Sequence, residues 1–242
     1  MNTESVEIRV SGLVVDIVRK DIKNLHLGVY PPNGRVRVAA PLSVSYEAVR
    51  LAVVGKLGWI KKQQAKFAAQ PRQTAREMVS GESHHFLGRR YRLRVSEGHG
   101  QCKVLLRTPA TIELYVRPQT NAKQREQALQ RWYRERLRAL IPPLLEKWQP
   151  VVGVQVADWG IKKMKTKWGS CTKDARRIWL NLELAKKPMQ CLEYIVVHEI
   201  VHLLERQHND RFRALMDQLM PQWHLCREEL NRTPLGHANW EY

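Results

Sequence analysis

Residues 195–208, IVVHEIVHLLERQH, decide the reading of this chain. Apolar residues surround His198, Glu199 and His202, so the segment is expected to be a helix packed on several sides. Four residues of α-helix turn about 400°, which leaves His198 and His202 about 40° apart and one turn of roughly 5–6 Å between them. Two imidazoles so placed can share one metal ion. Glu199 is rotated about 100° from His198, so it flanks such an ion without ligating it. A catalytic zinc site takes three protein ligands and keeps a fourth position open. His208 is the expected third ligand. On an unbroken helix it would point about 240° away from His202. The helix is therefore expected to end near Glu205–Gln207 and fold back, with Gln207 or Asn209 taking the turn in place of a glycine. Glu228 or Glu229 is the alternative third ligand. A chance match to the His-Glu-x-x-His spacing is expected only about 0.02 times in a chain of this composition, so the motif is specific.

Working outward, a helix is expected over 189–205, a shorter one over 209–219 and a C-terminal one over 224–231. Strands are expected upstream at 152–158, 161–167 and 177–184. The stretch from 121 reads as helix, with Leu129, Trp132, Leu137 and Leu140 as its apolar stripe, and Pro142-Pro143 should kink or restart it. Before 120 the pattern is β-rich. Three or four short strands alternate through Val6–Val38, one helix follows Pro41 with Ser45 as its cap, and strands resume at 84–95, 102–107 and 111–116. Segment 70–83 reads as a linker, His84-His85 read as surface residues, and no internal repeat is evident. The expected class is α+β, with a β-rich region over 1–120 and a catalytic domain over 121–242.

Forty-one basic against twenty-three acidic residues give a net charge of +18. That excess excludes an acidic solvating protein, and 43% hydrophobic residues exclude a disordered one. Four scattered cysteines without a CxxC pair are no disulfide framework, so a reducing, cytoplasmic setting is expected. Neither a signal peptide nor a stretch approaching the ~18 apolar residues of a membrane span is read. The densest basic run is Lys162, Lys163, Lys165, Lys167, Lys173, Arg176 and Arg177, with a second at Arg89, Arg90, Arg92 and Arg94. Each reads either as a solvated face or as a phosphate-contacting surface. The tryptophans read as core and interface anchors.

The segments KMKTKWGSC (163–171), IWLN (178–181), YIVVHEIVHLLERQHNDRF (194–212) and Pro221 together resemble the YgjP-like metal-dependent hydrolases, relatives of the SprT-like and WLM zinc peptidases. The resemblance covers about 130–232. It implies a zincin-like catalytic domain with metal ligands at His198, His202 and His208 and a general base at Glu199. It further implies that the strand before the active-site helix, 177–182, is a sheet edge where a peptide can add as a strand. The histidine spacing is also that of metzincins, but Glu205 stands where their glycine would be. The family often has Phe-Trp where Phe212-Arg213 stands, a difference that touches packing. One Zn²⁺ is the expected cofactor, with Mn, Ni or Co as alternatives. Lys167, Ser170, Arg211 and His224 are the candidate oxyanion or substrate contacts. Trp168-Gly169-Ser170-Cys171 reads as a tight turn that buries Trp168; the other reading is a loop at the mouth of the site, with Gly169 allowing close approach. Cys171 reads as a small buried residue.

Three functions fit these expectations. The first is a zinc-dependent peptidase-like hydrolase, in which Glu199 activates metal-bound water against a peptide carbonyl, with a protein substrate that DNA could carry. The second uses the same site on the phosphoanhydride of a nucleoside triphosphate. The third is a basic nucleic-acid-binding module with a structural zinc, against which Glu199 argues, because a structural site fills its fourth position with protein. Oligomeric state is not legible.

Overall fold

The computed structural model describes residues 5–30, 33–69, 76–107, 110–164 and 167–232. Its contacts divide it into two compact units, residues 1–72 and 73–238. The class is α+β. No helix among the described residues is long and apolar enough to cross a membrane.

In the first unit, β1 (Ser5–Val10), β2 (Leu13–Lys20), β3 (His26–Tyr30) and β4 (Arg35–Pro41) form one sheet in the order β1-β2-β4-β3. Strands β2 and β4 run parallel, and the outer pairs are antiparallel. Period-two alternation turns Val15, Ile17, Val36 and Val38 to one face. There they meet Val49 and Val53 of α1 (Tyr46–Val54) and Ile60 of α2 (Leu57–Ala69). Ser45 caps α1 as expected, accepting from the Ala48 amide at 3.2 Å. The single helix expected after Pro41 is two, because Gly55 closes the first with its amide on the Leu51 carbonyl.

The second unit opens with β5 (Ser83–Phe86), β6 (Arg89–Glu97), β7 (Lys103–Arg107) and β8 (Thr111–Val116), ordered β5-β6-β8-β7. This is the strand order of the first sheet again, with β6 and β8 parallel in its middle, a repetition of topology that the sequence does not carry. The sheet shares one core with α3 (Ala122–Val152). Phe86 lies 4.8 Å from the Trp132 ring, and the Tyr133 hydroxyl donates to the His85 carbonyl at 2.8 Å. Contacts therefore divide the chain near residue 72, whereas the sequence suggests a boundary near 120. Local periodicity finds these strands but does not say which core they join.

Helix α3 runs on as one element through Pro142, Pro143 and Pro150, so of the expected kink or restart the restart does not occur. Leu137, Ile141, Leu144, Leu145 and Trp148 hold both sides of the prolines in the core, and burial of that stripe outweighs the lost backbone bonds. A capping box of Asn121 and Gln124 starts the helix, and Gly153 at φ 75° ends it. The strand expected at 152–158 is instead an irregular connection, whose Val154 and Val156 pack on the core without a ladder. Strand β9 (Asp158–Lys162) follows, then β10 (Gly169–Thr172) and β11 (Arg177–Asn181), in the order β10-β11-β9. Residues 177–181 are thus the middle strand, not the expected edge. The edges are β9 and β10.

A 3₁₀ turn (Leu182–Lys186) leads into α4 (Met189–Val201), which is followed by α5 (Asp210–Leu219) and α6 (Trp223–Arg232). Nine of the thirteen residues of α4 are buried, which explains why it is apolar nearly all round. Contrary to the surface reading, His84 is only 1% exposed. It shares the inward face of β5 with Phe86 two residues on, and its ring nitrogens meet Arg76 at 2.6 Å and Glu82 at 3.3 Å. The basic run is dispersed. Lys163 pairs with Glu126, Arg177 pairs with Asp158, and Lys162 lies over Trp179. These three side chains are engaged within the unit. Lys165 lies outside the described residues.

Candidate metal centre

Helix α4 ends at Val201, four residues earlier than expected, with His202 as its C-cap in the ordinary right-handed region. Neither Gln207 nor Asn209 takes a left-handed conformation. The connection is long enough to return without one, and Asn209 is the extended N-cap of α5, accepting from the Phe212 amide at 2.9 Å. This short connection carries His208 back over the end of α4. The Nε2 atoms of His198 and His202 each lie 3.0 Å from the Nε2 of His208.

Three features make this cluster fit a divalent ion. First, the Nδ1–H of His202 donates to the Glu205 carbonyl at 2.9 Å, which leaves its Nε2 as a bare lone pair aimed at the other two rings. Second, burial favours the neutral, ligating form of each imidazole. His198 is pushed down to about 3 by burial and then by its two histidine neighbours, and His202 and His208 are lowered mainly by burial. Third, Phe212 packs beneath all three rings, with centroids 5.0, 4.7 and 4.8 Å from those of His198, His202 and His208. Three nitrogens drawn together with at most one shared proton per pair are favourable around a cation and poor without one. Among the described residues these three histidines are the only cluster of this kind, so the set is open rather than filled by a fourth protein ligand.

Glu199 lies one residue from His198 and is 3% exposed. Its Oε2 is buried without a hydrogen-bond partner among the described residues. Burial raises the carboxyl to about 8, and Lys167 pulls it the other way. Glu199 lies against β10. A Cβ at Gly169 would stand 2.4 Å from Glu199 Oε1 and 2.8 Å from its Cδ, so no other residue fits there without moving the carboxylate. Gly169-Ser170-Cys171 is therefore neither a turn nor a loop but the edge strand beside the site, and Trp168 is half-buried at its start. The close approach foreseen for Gly169 is what the strand provides. Cys171 lines the cavity, its thiol pushed up to about 11 by burial and then by Glu199, and it is not among the clustered ligand atoms.

A cavity of about 640 Å³ opens over the triad. Lys167 and Ser170 line it. Arg211 and His224 do not. The Asn209 cap turns Phe212 toward the triad and leaves Arg211 exposed. His224 is exposed, stacked on Trp223 and 3.6 Å from Asp217, because Trp223 takes the inward position on α6. Glu228 and Glu229 also lie outside the cavity lining, which leaves His208 as the third nitrogen. Tyr194, Arg206 and Arg227 do line it and were not anticipated. Arg227 was findable, since it falls on the face of Trp223 one turn later. Asn181 was hidden in IWLN. It is fully buried, its amide donates to the carbonyls of Met164 and Lys167, and its oxygen accepts from the amides of Met164 and Glu183. It thereby fixes the chain that enters β10.

A family model described as YgjP-like, metallopeptidase domain, matches residues 23–233. No curated protein matches the chain.

Proposed function

The chain belongs to the YgjP-like metallopeptidase family, and from that premise we propose a zinc-dependent peptidase of zincin-like architecture, with its ion on His198, His202 and His208 and its general base at Glu199. Membership makes the protein a metal-dependent hydrolase of the peptidase type. The roles rest on one observation above the others: three imidazole nitrogens converge beside a buried carboxylate whose second oxygen has no hydrogen-bond partner among the described residues.

A divalent ion bound there supplies Lewis-acid polarisation of the scissile carbonyl and a more acidic water. The chain's own residues do the rest. Glu199 receives the proton of the attacking water on Oε2 and holds it for the leaving amine. Gly169 keeps that carboxylate against β10. Phe212 and the Glu205 carbonyl hold the rings in place. Lys167 and Ser170, which line the cavity, stabilise the developing oxyanion. A substrate strand adds along β10, whose outer edge has no neighbouring strand among the described residues.

The reading is tested by stripping the protein with a chelator, restoring one equivalent of zinc and following a peptide mixture by mass spectrometry. Cleavage should vanish and return with the metal. Metal-dependent release of pyrophosphate from nucleoside triphosphates, with peptides left intact, would overturn it.

A further inference from the structure

We propose that the cavity selects acidic peptide segments and that Arg206 and Arg227 are the residues that select them, an inference that rests on the peptidase reading and narrows it. Several cations of this unit are already engaged. Lys163, Arg177 and Arg213 pair with Glu126, Asp158 and Asp210, and Lys173, although in the cavity wall, donates to the Leu204 carbonyl at 3.1 Å. Arg206 and Arg227 line the cavity and pair with no acidic side chain among the described residues.

The position of Arg227 is built. Arg227 sits 5.8 Å from the Trp223 ring, Trp223 stacks on Tyr194 at 6.0 Å, and Tyr194 meets the His198 ring edge-on at 5.7 Å. The Trp223 indole N–H is in turn anchored on Asp217 at 2.8 Å. One aromatic stack therefore ties the Arg227 side chain to the first histidine of the triad. Arg206 lies on the connection between His202 and His208, on the other arm of the same cluster. Among the described residues the only carboxylates in the wall are Asp174 and Glu199, and Glu199 is engaged in the chemistry. A guanidinium offers a planar fork that fits a carboxylate with two parallel hydrogen bonds. A peptide held along β10 with Asp or Glu near the scissile bond would give each arginine the partner that the protein does not.

The test uses the full chain with Glu199→Gln, loaded with zinc, and three fluorescent peptides of equal length carrying paired Glu, Gln or Lys beside the central bond. Binding is read by anisotropy. The Glu peptide should bind about tenfold tighter than the Gln peptide, with the Lys peptide weakest and the gap narrowing as salt rises from ~50 to 300 mM. Arg206→Gln with Arg227→Gln should bring the Glu peptide to the Gln level, and the Lys replacements should keep part of the preference. Charge reversal at both positions to Glu should favour the Lys peptide. Equal binding of all three peptides would overturn the proposal, as would a nucleoside triphosphate binding more tightly than the Glu peptide. Turnover of the same peptides by the unsubstituted enzyme is scored separately. Cleavage of all three at one rate removes the selectivity and leaves the peptidase standing, whereas selective binding without any cleavage supports the selectivity and removes the peptidase.

Discussion

At Gly169 a single missing methyl group decides where the Glu199 carboxylate can rest. Gly169→Ala would place Cβ within 3 Å of three Glu199 atoms, and a side chain only 3% exposed has little room to retreat. Peptide turnover is expected to fall about 10²-fold, the cost of a misplacement of about 1 Å, while zinc content stays at one ion per chain. Unchanged turnover would show that the carboxylate does not need this seat. The histidine pair and Glu199 were legible because the helical period is local. A close approach at Gly169 could be suspected, but not that Glu199 makes it, since the two lie thirty residues apart. His84 was misread for a related reason: paired histidines look polar, but alternation with Phe86 puts the first one inside.

The same limit holds for elements. Helices and most strands could be placed by periodicity, but that β11 lies between β10 and β9 is a long-range fact that no local pattern contains. The edge implied by the family resemblance fell on the wrong strand for this reason. Two asparagines set the elements around the site. Asn209→Ala removes the cap of α5 and should cost about 1 kcal/mol of stability. Because His208 is the adjacent residue, zinc should also bind more weakly, which a competition titration against a chromogenic chelator would measure. Asn181→Ala takes the side-chain partner from the Met164 amide, the Met164 and Lys167 carbonyls and the buried Glu183 amide. It should cost about 2–3 kcal/mol in chemical denaturation and lower turnover as β10 loses its anchor. Wild-type stability in either variant would contradict these assignments.

For the whole molecule, two sheets of the same strand order occur with separate cores, and the second is continuous with the helices of the metal centre. Buried His84 links that second core to pH. Burial, and then Arg76, lower it to about 4 against opposition from Glu82. Its folded-state pKa lies below the unfolded value of 6.5, so its full contribution is present above about pH 6.5 and is lost as pH falls toward 4. The loss is at most about 3 kcal/mol. Urea midpoints should drop over that window, and less steeply in His84→Gln; identical slopes would remove His84 from the account. The histidine constellation was plain in the sequence, whereas the partnership of the second sheet with α3 arose only from packing. Central to everything above is that His198, His202 and His208 hold the ion and Glu199 moves the proton. The most direct measurement is the peptide turnover of Glu199→Gln at a verified stoichiometry of one zinc per chain. A loss of about 10²–10⁴-fold with the metal retained is the expected result, and full turnover with zinc bound would contradict it.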